Sequence, residues 1–377
     1  MAIYMWREPR TFTISWTEQS NMSSGWTYSD DAAWLTAGSG DFDDFFWYSA
    51  VLLNTSGVET AEMAQSWWVF TGAMSTLWNI TSWDNVMIKF PVRWIKMSKS
   101  WSVVTLSITD WLDRESEWYQ YYAHCTWTLD SPWTPKSAFY LWAYKSYNNS
   151  NVLKSWSGET PTWSMTQSNS CTYSKANGSW YNIMGFYQRM YISALYIMKY
   201  GNPDCQSAIW KWYTLGRASS PIATTWWTNS QTNATYWTSD GTAQIKLFWL
   251  EDRWWDMDEW LWGTYTNSSN VLYTWLTGWN WSTSWLTSTW ITISSSSSNF
   301  LSSIAGDNKG MFAPMWAVSS MSYYWDLVSV WASYVATVSG QKNTWDNAWV
   351  FYLRYTNSAT ATNANIWSRL MYLQWLS

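Results

Sequence analysis

Between Ser102 and Thr109 apolar and polar side chains alternate. Val104, Leu106 and Ile108 face one way, and Thr105, Ser107 and Thr109 the other. A repeat of two predicts a strand with one buried face. Val86 to Pro91 reads as a second strand, and Trp349 to Leu353 and Ile366 to Leu373 as strands near the end. One stretch has a helical period. Between Tyr181 and Tyr200, Ile183, Phe186, Met190, Ala194 and Ile197 recur at helical spacing, with Gln188, Arg189 and Lys199 elsewhere on the wheel. Gly201-Asn202-Pro203 then supplies a left-handed cap and a stop. After residue 215 short segments alternate with turns, and Ser294 to Ser298 reads as a loop. No tandem repeat of fixed period occurs. One helix among many short strands and long loops predicts an α+β fold. The polar, turn-rich residues 1–84 give way to strand patterns at Val86, which places a domain boundary near Asp84. The expectation is a small β-rich region, 1–84, followed by a second domain, 85–377.

The 377 residues include 41 Trp and 16 Gly. Trp stands repeatedly among turn formers, as in Thr224-Thr225-Trp226-Trp227-Thr228-Asn229, Asn343-Thr344-Trp345-Asp346-Asn347 and Asn280-Trp281-Ser282. Turn positions with positive φ favour Gly and Asn, and a bulky L-residue there costs roughly 1–2 kcal/mol. Two readings account for the pattern. In one, many of these residues are glycines in the natural protein, encoded by a UGA codon read as glycine and translated here as Trp. In the other, the tryptophans are genuine and form an aromatic surface for sugars.

Charged residues make up 12% of the chain, about half the usual share, and the net charge is −5. No basic excess is present to neutralise a phosphate backbone, so nucleic acid is not expected as a partner. No apolar run reaches the roughly 20 residues of a membrane helix. With 47% apolar residues the chain has material for a core. Met1 to Arg7 lacks a basic start followed by an apolar stretch, so no secretory signal is expected. The product then stays in its cell or leaves by lysis, as a virion part does.

Cys125, Cys171 and Cys205 are widely spaced and odd in number, which supports neither a metal knuckle nor a disulfide framework. His124 is the only histidine, so a His-based triad or two-histidine zinc site is excluded. Its neighbour Cys125 would point away from it on a strand. Two acidic clusters are candidate calcium loops: Gly40 to Phe46, and Glu251 to Trp260 around Arg253. The first also reads as a solvated turn, and the second as a structural cluster or a carboxylate pair for glycosidase chemistry. No cofactor is expected beyond that candidate calcium.

Three stretches carry a resemblance to a known family. Lys246 to Trp260 (KLFWLEDRWWDMDEW) is similar to a family run LFGLED-x-WGN-xx-EW. Ser339 to Leu353 (SGQKNTWDNAWVFYL) is similar to GG-xx-NNGxNAGxFYL, and Ile366 to Leu370 (IWSRL) to IGSRL. Tyr196 to Gln206 is similar to the segment after the family's helix. The chain over 85–377 thereby resembles the C-type-lectin-like domain of the formylglycine-generating-enzyme, or sulfatase-modifying-factor, superfamily. It resembles most the variable proteins of diversity-generating retroelements, phage tail receptor-binding proteins among them. Trp249, Trp255, Trp345, Trp349 and Trp367 fall on family glycines, in line with the recoding reading.

The resemblance implies an α+β, C-type-lectin-like domain with few helices and a variable C-terminal region, about 331–373. Superfamily enzymes oxidise with cysteines near the C-terminus, and none lies beyond Cys205 here, so no enzymatic activity is expected. In the retroelement branch, diversified positions derive from asparagines. Asn343, Asn347, Asn357, Asn363 and Asn365 remain, whereas Gln341, Lys342, Thr344, Asp346, Arg354, Tyr355 and Thr356 look substituted and are the expected ligand-binding residues. Trp349, Phe351 and Leu353 would fill the core. The expected function is non-enzymatic binding of a host or target-cell surface receptor, protein or glycan, by a phage tail or bacterial surface protein. Membrane insertion is not expected, and homo-oligomerisation stays open. Arg354 and Tyr355 would be central, so their joint replacement by Ala would abolish binding. The alternatives are a carbohydrate-binding module with Trp platforms and a superfamily oxidase-like enzyme.

Overall fold

The computed structural model describes residues 8–19, 22, 25–62, 65–66, 69–70, 84–111, 115–125, 135–209, 224–225, 228, 231, 233–237, 244–252, 258–274, 286–294, 299–306, 312–318, 324, 326–331, 333–339, 350–362 and 366–373. Among them strands dominate, about 43% against 15% helix, which corrects the expected α+β, C-type-lectin-like class to a mostly β architecture. The physical reason lies in pairing. Segments too short to read individually as strands are joined edge to edge into sheets of four, six and nine strands.

The four-stranded sheet is antiparallel, in the order Thr27–Asp30, Thr11–Thr17, Val103–Thr109, Trp94–Ser100. Its Val103–Thr109 strand buries Val104, Leu106 and Ile108, as the alternation predicts. The other face is not left to water. Thr13 pairs with Ser107 at 2.8 Å and Thr11 with Thr109 at 2.9 Å, a hydroxyl ladder across the two strands.

The six-stranded sheet runs Tyr181–Ile183, Leu370–Leu373, Ala138–Trp142, Asn85–Pro91, Ser49–Leu53, Glu59–Glu62. Both sheets cross the boundary expected near Asp84. Ser49–Leu53 pairs with Asn85–Pro91, and Thr11–Thr17 with Val103–Thr109. The nine-stranded sheet is built from later residues. Its path is Thr287–Thr292, Val271–Thr274, Asp258–Thr266, Val335–Val338, Leu353–Asn357, Leu327–Val330, Asn299–Gly306, Phe312–Val318, with Ile366–Trp367 parallel to Asp258–Thr266.

The helical period is realised as Phe186–Tyr200, while Ile183 belongs to the preceding strand. Gly201 ends the helix at φ +54°, its N–H bonded to the Ile197 carbonyl. Every residue from Phe186 to Lys199 is buried, so the helix is enclosed rather than amphipathic at a surface. Two of its polar side chains reach backbone carbonyls from inside. Gln188 Nε2 donates to the Ala123 carbonyl at 2.6 Å, and Arg189 Nη2 to that of Val350 at 3.1 Å.

The acidic aromatic cluster is a helix, Asp41–Phe46, not the expected turn. Phe42, Phe45 and Phe46 are spaced to share one face of it and are buried, with Phe45 stacked on Phe12 at 4.0 Å.

Candidate ligand-binding surface

The strand Leu353–Asn357 lies inside the nine-stranded sheet, antiparallel to Val335–Val338 and parallel to Leu327–Val330. Leu353, Tyr355 and Asn357 are buried, whereas Arg354 and Thr356 are half-buried on the opposite face. The guanidinium of Arg354 lies 3.5 Å from Asp258, with 31% of the Arg354 side chain exposed and Asp258 fully enclosed. The Tyr352 hydroxyl also bonds Arg354, and burial holds its ionisation far above the ordinary range. A cation thus reaches the surface while its counter-charge stays beneath it. This arrangement fixes the head-group and leaves an edge open to an anionic or hydrogen-bonding partner.

The expected binding residues separate. Tyr355 is a core residue, fully buried, with its hydroxyl 2.9 Å from Thr264 Oγ1, so its assignment as a ligand anchor is corrected. Adjacent strand residues face opposite sides, and Arg354 and Tyr355 cannot share one surface. Thr356 keeps its hydroxyl oxygen out of solvent and without a partner among the described residues, so it offers little to a ligand. Gln341, Lys342, Thr344 and Asp346 lie outside the described residues, as do Trp255, Trp345, Trp349, Arg253 and residues 295–298. Of the residues expected inside, Phe351 and Leu353 are buried.

The described members of the second acidic cluster are each engaged. Glu251 accepts from the Thr228 N–H at 3.1 Å and hydroxyl at 2.6 Å. Asp252 accepts from Gln244 and lies 3.5 Å from Lys145. Glu259 lies 3.2 Å from Arg369 Nε. Among the described residues no three His, Cys, Asp or Glu side chains gather as a metal site. These carboxylates hold the interior together. In the first cluster, Asp43 binds Lys199 and Asp44 faces Arg10 at 3.6 Å.

His124 is a core residue. Its ring packs on Phe139 and Tyr191, Nε2 lies 3.3 Å from the Phe90 carbonyl, and burial lowers its pKa to about 3. Burial pushes the Cys125 thiol up to about 12 and raises Cys171 and Cys205 as well, which disfavours the reactive thiolate at all three. No periodicity announces the buried Arg369 or the Asp43–Lys199 pair, because their partners are distant in the chain. No protein-family model and no curated protein matches this chain.

Proposed function

We propose that the chain is a non-enzymatic receptor-binding protein whose C-terminal part carries a changeable recognition surface, displayed on a phage tail or a bacterial surface. The observation that carries the reading is Arg354, half-exposed in an interior strand of the largest sheet and held from below by the enclosed Asp258. A rigid β framework under outward side chains is what a variable binding surface requires. The similarity of three C-terminal stretches to the variable proteins of diversity-generating retroelements supports the same reading. The contact set is Arg354 with Gln341, Lys342, Thr344 and Asp346. Tyr355 and Thr356 belong to the frame. The partner is a host or target-cell surface molecule, and Arg354 favours an acidic or hydrogen-bond-accepting one.

The test is tolerance. Simultaneous replacement of Gln341, Lys342, Thr344 and Asp346 by Ser is expected to leave the melting temperature within about 2 °C of the parent. It is also expected to abolish binding of the labelled protein to the cells it recognises. A large loss of stability would make these residues part of the core and end the reading. A reverse transcriptase gene and a near-copy of the 3′ coding segment beside the gene are the expected genomic companions.

A further inference from the structure

A concavity of about 530 Å³, within the size range of small-molecule sites, has no described lining residue from the C-terminal strands. Its described lining comes from the loop around Gly38 through the helix Asp41–Phe46 to Tyr48, from the C-terminal end of the helix Phe186–Tyr200 and the residues after it as far as Ala208, from Asn233 to Trp237, and from Trp249. Its wall holds an ion pair. Lys199 Nζ lies 2.6 Å from both oxygens of Asp43, and their side chains are only 5% and 14% exposed. The Tyr48 hydroxyl donates to the same carboxylate at 2.5 Å.

Among the described residues of the lining, Asp43 and Lys199 are the only charged ones, and they neutralise each other. A charged ligand would find no uncompensated counter-charge here, and breaking the pair to make one would strand a buried ion. The lining instead mixes donors and acceptors with ring surface. An ammonium has three N–H groups and a carboxylate about four acceptor sites, more than their mutual contacts use. Asn233 adds an amide that both donates and accepts, and Asn202 adds one whose oxygen already accepts from the Asp204 N–H at 2.8 Å. Tyr200 supplies an aromatic wall, held by stacking on Tyr196 at 5.0 Å. Burial raises the pKa of the Tyr200 hydroxyl, which stays protonated and able to donate, whereas the Tyr48 hydroxyl already gives its proton to Asp43.

We propose that this cavity, walled by Asp43, Tyr48, Lys199, Tyr200, Asn202 and Asn233, binds a neutral polyhydroxylated molecule, a mono- or disaccharide. A pyranose presents hydroxyls around its rim, for the amides and the ion pair, and a C–H face for the Tyr200 ring. Among the described residues the site shares none with the receptor-binding surface, so either assignment stands or falls alone.

The experiment is saturation-transfer NMR of the full chain with glucose, galactose, mannose, N-acetylglucosamine, maltose and lactose, each at about 10 mM, a concentration that detects millimolar affinity. At least one is expected to bind. Asn233→Ala, which removes an amide, and Tyr200→Leu, which removes the ring, are expected to weaken it at least fivefold while circular dichroism shows the chain still folded. Ser358→Ala, at an exposed position outside the described lining, is expected to leave it unchanged. Absence of transfer from all six sugars overturns the proposal. So does binding that both cavity variants leave intact.

Discussion

Among the described tryptophans two contrasting groups stand out by local chemistry, beside buried ones such as Trp142 and Trp367 whose indole N–H has no hydrogen-bond partner. Trp16, Trp26, Trp156 and Trp260 place the indole N–H on an acceptor, the expected state of a genuine packed tryptophan. A second group occupies glycine geometry. Trp47 caps the helix Asp41–Phe46 at φ +53°, as Gly201 caps the longer helix at +54°. Trp101 opens the two-residue turn between Trp94–Ser100 and Val103–Thr109 at φ +55°, with its side chain 96% exposed. Trp290, 89% exposed, has φ +63° where the register of Thr287–Thr292 shifts against its neighbour. These side chains bear the left-handed backbone cost and bury little in return. Trp101→Gly and Trp290→Gly are each expected to raise unfolding free energy by about 1 kcal/mol, whereas Trp260→Gly lowers it by at least about 3. Denaturant titration measures all three. On the recoding reading, the gene has UGA at codons 101 and 290 and UGG at 156 and 260. Mass spectrometry of the native chain that found Trp at 101 and 290 would dismiss it.

At the scale of elements, the strand Leu353–Asn357 shows how one phase decides a role. With Phe351 and Leu353 inside, the period of two carries Tyr355 inside as well. Joint Ala replacement of Arg354 and Tyr355 therefore tests folding rather than binding. Tyr355→Ala is expected to cost about 3–5 kcal/mol through the cavity it leaves, and Tyr355→Phe about 1 kcal/mol through loss of the Thr264 hydrogen bond. Thermal unfolding of the two variants separates these outcomes, and an Ala variant as stable as the parent would place Tyr355 outside the core. Elements whose signal is local were legible in the sequence. The spacing from Phe186 to Ile197 with its Gly-Asn-Pro stop located the long helix, and the alternation from Val104 to Thr109 located a strand. Asp41–Phe46 was not legible as a helix, because six residues give barely two turns of period. Sheet order was not legible either, since Thr11–Thr17 finds its partner in Val103–Thr109, far along the chain.

For the molecule as a whole, the last strands link the two largest sheets. Ile366–Trp367 joins the nine-stranded sheet and Leu370–Leu373 the six-stranded one, with only Ser368 and Arg369 between them. Arg369 is fully buried at this crossing. Its Nη1 donates to the carbonyls of Trp142 at 2.9 Å and Ala143 at 3.2 Å, its Nη2 to that of Glu251 at 2.6 Å, and its Nε lies 3.2 Å from Glu259. One planar fork thus ties the six-stranded sheet and the strand Asp258–Thr266 to the crossing, a geometry that a lysine ammonium cannot span. The Ile-Trp-Ser-Arg-Leu stretch was conspicuous in the sequence, but its bonds run to carbonyls more than a hundred residues away and left no local trace. Arg369→Met is expected to cost about 3–5 kcal/mol, because the buried Glu259 loses its Arg369 partner. Adding Glu259→Gln to that variant removes the stranded charge and is expected to recover part of the loss. Urea midpoints of the two single variants and the double variant complete the cycle. If the double variant loses the sum of the two single effects, the two side chains act independently and Arg369 works through the carbonyls alone.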